Sequence, residues 1–357
     1  MPEIKLAFWN VGNLFDTTAS PLAADLEFTP EQGWTPQAYD VKIKALAGVI
    51  RQLHDGAGPD LLGLCEIENE AVLKDLLREI GRDDYQIAHL DSPDLRGIDT
   101  TLVYSSRIFR KPPKSAMRGH VVNLRYATRD IFEVRLQLKG GGSTPELIVL
   151  VNHWPSRKNG QYETEPLRIT AAEHAGRLVD AHLKHSRAEF LASVPPFTLD
   201  QLKQRWNRNV LLMGDFNDEP YSRSMLDYLQ ASKDLDHVEE EVKGAAGGKP
   251  PTARAYLGRS AHLFNPMWRL LATPDVGTHY YSAATNSMNV LDQFVLSRGL
   301  VYGLQGLKFD SNSVGIFNQP PMASPSGRPV NFDRQTLRGV SDHFPITAKI
   351  EVLPAAS

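Results

Sequence analysis

The residues best equipped for chemistry in this chain stand at the ends of apolar runs. Five such runs stop at a group able to bind a metal or move a proton. They are LAFWN ending in Asn10, DLLGLCE ending in Glu66, LIVLVNH with Asn152 and His153, VLLMGDFN with Asp215 and Asn217, and GVSDH with Asp342 and His343. A sixth, NVLDQFVLS, carries Asp292 near its start. One carboxylate at a strand end is usually solvated surface or a helix cap. The set carries more weight, because strand ends along one edge of a sandwich converge, and carboxylates gathered there repel one another unless a cation binds. Oxygen donors of this kind suit a hard ion. Mg²⁺ is held by one or two carboxylates and keeps several waters, which leaves room for a substrate phosphate. The lack of clustered thiolates and of a His-x-x-x-His pair argues against zinc there. The implied chemistry is phosphate-ester hydrolysis, with the metal polarising a phosphoryl oxygen. A carboxylate or histidine would orient and deprotonate water, and a protonated histidine would steady the phosphoryl oxygens.

The elements that must position these groups are mostly strands. Ile4, Leu6 and Phe8 alternate with Lys5, Ala7 and Trp9; Phe132, Val134, Leu136 and Leu138 alternate with polar residues; so do Ile346, Ala348, Ile350 and Val352. Period two predicts strands with one buried face. Shorter apolar runs predict strands at 60–65, 85–90, 101–105, 147–152, 210–214 and 291–296. Helical spacing appears at Ile43, Leu46, Ala47, Ile50 and Leu53, and again at Val72, Leu73, Leu76, Leu77 and Ile80. Further helices are predicted over 167–190 and 222–231. Few helices among many strands argue against strict βαβ alternation. The expected fold is α+β: two stacked, mostly antiparallel sheets with helices on both outer faces. Long loops are expected at 239–255 and 310–334. No composition shift marks a boundary, so residues 1–357 are read as one domain.

Composition is that of an ordinary globular chain, with 41% hydrophobic and 23% charged residues. The single cysteine, Cys65, excludes an intramolecular disulfide. The start, MPEIKLAFWN, does not read as a signal peptide, and no apolar run is long enough to span a bilayer, so a cytoplasmic location and no membrane insertion are expected. The formal net charge of −3 means that any grip on a polyanion must be local or supplied by a bound cation.

These motifs together resemble the endonuclease/exonuclease/phosphatase superfamily, the deoxyribonuclease-I-like fold. The likeness runs through FWNVGNLFD at 8–16, DLLGLCEIEN at 60–69, RGIDTTLVY at 96–104, VNHWPSR at 151–157, LLMGDFNDEP at 211–220, LDQFVLS at 291–297 and SDHFPI at 341–346. The resemblance implies a four-layer sandwich and a divalent cation, Mg²⁺ with Mn²⁺ or Ca²⁺ as alternatives. It implies that Asn10, Glu66 and Asp342 are metal-site residues, with Glu66 the principal ligand. Asp215 would position or deprotonate the water, and Asn217 would hold the phosphate or a metal-bound water. His343 would contact the phosphate and Asp292 would orient it. His153 matches the second histidine of the phosphodiesterase and nuclease branches, with Asp99 a looser match for its orienting carboxylate. Arg129 stands where deoxyribonuclease-like members keep a phosphate-binding arginine. The tail of NHWPSRKNG, with Arg157 assigned to substrate, departs from deoxyribonuclease I and looks like uncharacterised bacterial members. The Trp-x-Asp-Arg signature of the inositol-polyphosphate branch is missing at 291–297.

Other residues read more plainly. His279, in GTHYYS, is the remaining histidine to watch. Glu68 shares a face with Glu66 if the strand stays regular, which leaves a swap of ligand roles open. Asp218 and Glu219 read as a helix entry, Cys65 as packing, and Gly140–Gly142 as a hairpin turn. Arg157, Lys158, Arg168, Arg328, Arg334 and Arg338 are solvated surface by default, with phosphate tracking open to some of them. The expected activity is metal-dependent phosphodiester hydrolysis on DNA or RNA. The alternative is a phosphoesterase acting on a lipid headgroup or small phosphorylated molecule. No protein partner can be inferred.

Overall fold

The structure is a computed structural model, and it describes residues 2–18, 27–123, 128–140, 144–243, 252–258, 261–281 and 286–354. Two sheets face each other. The first has six strands in the order β14 (Leu307–Ile316), β15 (Ile346–Val352), β1 (Glu3–Leu14), β2 (Leu61–Ile67), β4 (Asp99–Ser105) and β3 (Tyr85–His89). The second has seven: β5 (Met117–His120), β6 (Ile131–Gln137), β7 (Glu146–His153), β8 (Asn209–Asp215), β13 (Asp292–Leu296), β10 (Leu263–Phe264) and β9 (Ala231–Ser232). A separate hairpin pairs β11 (His279–Tyr281) with β12 (Ser287–Asn289).

Alternation along the strands builds the layers. Leu6 and Phe8 of β1 meet Val149, Val151, Leu211, Met213 and Phe294 of the other sheet in the central core. Gly63 is required there, because a Cβ would lie 2.5 Å from the Met213 sulfur. The opposite side chains, Ala7, Trp9, Leu62 and Leu64, bury the apolar stripes of α1 (Pro36–Gln52) and α2 (Glu70–Ile80). Ile148, Leu150 and Leu212 do the same for α3 (Gln161–Leu183) and, beyond a short α4 (Arg187–Ala192), for α5 (Leu199–Trp206). The result is the expected α+β sandwich with helices on both outer faces.

Each sheet is antiparallel except near its middle, where β1 runs parallel to β2 and β7 to β8, and at the β9–β10 edge. The two central pairs matter for the site. Helical crossovers join their strands, so both carboxyl ends of each pair reach the same edge. His153 and Asp215 are the last residues of β7 and β8, Glu66 is next to last in β2, and Asn10 is the last residue of β1 before its register with β2 shifts. Antiparallel neighbours bring the starts of β13 and β15 to that edge, with Asp292 directly opposite Asp215.

Some expectations shift. The helix expected at 167–190 starts at Gln161, carries Pro166 inside, and stops at Leu183; a Ser186–Glu189 capping box then opens α4. The segment 222–231 forms only a π-helical turn, Ser224–Tyr228. The loop expected from 310 is strand as far as Ile316, because β14 continues past a register shift at the sheet edge, where its polar residues face water. Of 239–255, residues 244–251 lie outside the described residues, and helix covers Leu235–Lys243 and Ala253–Gly258. Among the described residues, no helix is long and apolar enough to cross a membrane.

Candidate active site

Local irregularity aims the side chains. Regular pairing of β2 breaks between Cys65 and Ile67, and Glu66 sits at φ +63°. A bulge there lets Ile67 take the helix-facing place and turns Glu66 to the sheet edge. β1 breaks register in the same way between Asn10 and Leu14, with Gly12 at φ +64°. A Cβ on Gly12 would lie 3.2 Å from Asp342 Oδ1, so glycine permits both the turn and the close approach of the Asp342 loop. The bulge also separates the two glutamates. Glu66 Oε2 accepts the Asn13 N–H at 2.9 Å, whereas Glu68 Oε2 accepts the Asp16 N–H at 2.6 Å.

A buried lysine ties these loops together. Lys42 of α1 is fully buried, and its ammonium donates to the carbonyls of Val11 (2.7 Å), Gly12 (3.1 Å) and Val340 (2.6 Å). It thereby clamps the β1 bulge to the chain leading into Asp342 and His343. Burial pushes its pKa down to about 7, against the pull of Asp342 and Glu66.

The centre forms around Asp215, whose Oδ1 accepts the Asn217 N–H at 2.9 Å and whose Oδ2 accepts the Asn10 side-chain amide at 3.1 Å. His153 Nε2 and His343 Nε2 each lie 3.8 Å from that same Oδ2, one from each sheet side of the cleft. His153 Nε2 is also 3.7 Å from Glu66 Oε1. The Asn217 amide donates to the Trp154 carbonyl at 2.9 Å, which pins the turn after β8. Asp292 is fully buried, and its Oδ2 pairs with His343 Nδ1 at 2.7 Å. Ser341 Oγ donates to the Asn10 carbonyl and accepts the His343 N–H, fixing the histidine's backbone.

The electrostatics follow from that geometry. Burial disfavours the charged imidazolium of His343, but Asp292 and Asp215 overcome it and raise its pKa well above the ordinary value. Burial raises Asp215; the His343 charge opposes the rise and Asp292 adds to it. We place the proton of this group on His343, because the short bond to Asp292 is best made by an imidazolium. Burial and then Arg129 drive His153 well below the ordinary value, so its ring is neutral.

The histidine singled out in GTHYYS belongs here too. A β-bridge sets His279 against His343, their ring centroids are 4.4 Å apart, and His279 Nδ1 lies 3.0 Å from the Asp342 carbonyl. Thr278 was not legible as a site residue: its Oγ1 accepts the N–H groups of Leu291 and Asp292 and so sets the start of β13.

One cleft of about 650 Å³ gathers Asn10, Glu66, His153, Asp215, Asn217, Asp342, His343, Arg129 and Arg157. Several residues sit differently from the roles suggested for them. Asp99 makes no hydrogen bond to His153, whose Nδ1 has no partner among the described residues; it faces His89 instead, Oδ2 to Nε2 3.4 Å, because β4 carries it toward the end of β3. Arg157 and Arg168 are buried rather than solvated. Arg157 donates to the Asn217 carbonyl at 2.6 Å, and both guanidiniums pair with the buried Asp218. Asp218 and Glu219 are thus internal anchors: Glu219 Oε2 accepts the Val290 N–H at 3.0 Å. Arg129 donates to the Trp154 carbonyl at 3.0 Å and pairs with Asp94 at 3.4 Å.

Residues 5–247, well over half of the chain, match the model of the Endonuclease/Exonuclease/phosphatase family. The chain belongs to that family. Its members are phosphoester hydrolases, generally dependent on a divalent cation. Solved structures of the family share the fold at low identity. One is an endonuclease/exonuclease/phosphatase family protein from Bacteroides thetaiotaomicron, 13% identical, covering 99% of this chain and 98% of that one, TM-score 0.52. Another is a mannosyl-6-phosphatase from the same species, 14% identical, 98% and 99% covered, TM-score 0.52. A third is D. rerio TDP2 complexed with a single-strand DNA product, 12% identical, 98% and 99% covered, TM-score 0.50. No curated protein sequence matches the chain.

The donors present fit a divalent cation. Glu66 and Asp342 bring two carboxylates to the cleft with the Asn10 amide between the strands, and the nearby lysine, Lys42, is committed to three carbonyls. Two tighter groups also converge, His279–Asp342–His343 and Asp215–Asp292–His343. Both use His343, whose Nδ1 is already bound to Asp292, so we read them as a proton-holding network rather than a metal cage.

Proposed function

We propose that this chain is a divalent-metal-dependent phosphodiesterase acting on nucleic acid. The observation that carries the reading is the pair of histidines converging on one carboxylate. His153 and His343 place Nε2 atoms of different charge 3.8 Å from Asp215 Oδ2, beside the oxygen donors of Glu66 and Asp342. A phosphodiester has two non-bridging oxygens and a leaving oxygen to stabilise, and this site offers a donor for each.

Asp215, held by Asn10 and the Asn217 N–H, orients the attacking water and takes its proton. Its burial raises its basicity for that task. The His343 imidazolium, kept charged by Asp292, donates to a phosphoryl oxygen whose charge grows as the bond to water forms. Neutral His153 contacts the second oxygen. A cation held by Glu66, Asp342 and Asn10 would polarise the phosphoryl group and offset charge on the departing oxygen. We name Mg²⁺ or Mn²⁺ for that role, since the donors are hard oxygens.

Support for an extended substrate comes from the rim. Arg96 and Lys158 line the cleft, and so do Tyr281 and Phe28. Cations and aromatic rings along one cleft suit flanking phosphates and bases. They supply locally what a net charge of −3 does not. The test is a substrate panel: plasmid DNA, single-stranded DNA, RNA, bis-p-nitrophenyl phosphate, p-nitrophenyl phosphate and sphingomyelin, each with Mg²⁺, Mn²⁺ or EDTA. The proposal expects metal-dependent cleavage of the diesters and of a nucleic acid, abolished in His153→Ala. Hydrolysis of the monoester or the lipid alone would overturn the substrate reading.

A further inference from the structure

A second group of ligand atoms lies outside the residues given catalytic work above. β3 ends at His89 and β4 begins at Asp99, and the segment 90–98 spans the gap. His89 Nε2 is 3.2 Å from Asp91 Oδ1 and 3.4 Å from Asp99 Oδ2, and all three atoms lie within 4.8 Å of one another. The His89 and Asp99 side chains are only 3% and 4% exposed. Among the described residues, no lysine or arginine makes a salt bridge with either carboxylate; the ring of His89 is the single positive-capable partner. The other oxygen of Asp99 accepts the Ser92 N–H at 2.8 Å, which leaves Oδ2 directed at the ring.

The spacing of these three atoms matches that of ligands around one shared ion. Ligands held about 2.1 Å from a common ion at tetrahedral or octahedral angles stand about 3.0–3.4 Å apart. The two His89–carboxylate separations fall in that span. One imidazole with two carboxylates suits Zn²⁺ or Mn²⁺ better than Ca²⁺.

The placement gives such an ion a consequence. The Asp94 side chain accepts the Arg96 N–H at 2.7 Å and pairs with Arg129 at 3.4 Å, and Arg96 lines the cleft. The 90–98 segment therefore carries a cleft cation and a partner of Arg129, and His89, Asp91 and Asp99 close its neck.

We propose that His89, Asp91 and Asp99 form a second divalent-cation site, for Zn²⁺ or Mn²⁺, that fastens the neck of the 90–98 segment and holds Arg96 at the cleft. The site itself stands apart from the proposed activity; only its effect on substrate rests on that reading. The test begins from full-length protein stripped with chelator and carrying Glu66→Ala and Asp342→Ala, so that the catalytic donors are gone. Calorimetric titration with Zn²⁺ and with Mn²⁺ should still show one bound ion per chain. Asp91→Ala added to that background should weaken it about tenfold or more, and Asp99→Asn should do the same. Asp91 is 86% exposed at its side chain, so its variant tests the site without endangering the fold. Trypsin supplies a second readout: the ion should slow cleavage after Arg96 in the parent and not in Asp91→Ala. No ion bound in the Glu66→Ala/Asp342→Ala protein would overturn the proposal. So would binding and cleavage unchanged by Asp91→Ala. Neither result bears on whether the intact protein cleaves diesters.

Discussion

Replacing Lys42 by methionine should cost both stability and metal affinity. Methionine fills most of the volume but offers no donor to the carbonyls of Val11, Gly12 and Val340. Orphaned buried acceptors cost about 1–3 kcal/mol each, offset in part because no ammonium need be desolvated. The net is about 3–5 kcal/mol, as for breaking other buried polar networks. With an unfolding entropy of about 2.1 cal/mol/K per residue, 357 residues give roughly 0.75 kcal/mol/K, so Tm should fall by about 4–7 °C. Scanning calorimetry reads that directly. The clamp joins the β1 bulge to the chain entering Asp342, so Mn²⁺ titrated into Lys42→Met should also bind more weakly than into wild type. Lys42→Arg, whose guanidinium keeps the charge but not the geometry of three converging carbonyls, should recover the affinity only in part. A Tm shift below about 1 °C, with Mn²⁺ affinity intact, would refute the clamp.

Other perturbations read other parts of the account. Asp292→Asn removes the charge that keeps His343 protonated, so hydrolysis of a diester should fall by about 10²–10⁴ with the fold intact, and the His343 nitrogen resonances should titrate nearer their ordinary range. Arg82 holds Asp84 down to about 2, against burial, from an ordinary value of 3.8. A depressed carboxylate stabilises the fold fully above its unfolded pKa and loses that contribution as pH falls through the folded one. Asp84→Asn should therefore be destabilised by about 2 kcal/mol at pH 6 and match wild type near pH 2, as urea unfolding at the two pH values would show. Gly12→Ala forces a Cβ to φ +64° and within 3.2 Å of Asp342 Oδ1, and should weaken Mn²⁺ binding with a stability loss of about 1 kcal/mol.

The layers were legible because burial writes period two into long strands. β1, β6 and β15 each show it over six or more residues, and the helices beneath them show period 3.6. Strand ends were legible because an apolar run must stop where a polar group meets the edge, which is how Glu66, Asp215 and Asp342 stood out. Departures from regularity were not. The bulge that turns Glu66 outward and sends Glu68 to Asp16 depends on backbone angles that no side-chain pattern encodes. The clamp by Lys42 had a faint signal, a lysine four residues before Leu46 on the apolar stripe of α1, but its acceptors are backbone carbonyls far away in sequence. The same holds for Asp99, which the fold delivers to His89, and for Arg157, whose partners Asn217 and Asp218 lie some sixty residues on. Long-range pairing decides which charges are buried, and single-sequence patterns are blind to it.

The most direct test of the central claim is the initial rate of bis-p-nitrophenyl phosphate hydrolysis by wild type, Asp215→Asn and Glu66→Gln, across a Mn²⁺ titration. The account predicts no turnover in EDTA, saturable activation in wild type, and a drop of about 10² or more in Asp215→Asn that added Mn²⁺ does not restore. Glu66→Gln should instead need a higher Mn²⁺ concentration for half-activation. Wild-type turnover in EDTA, or an Asp215→Asn protein as fast as wild type, would contradict it.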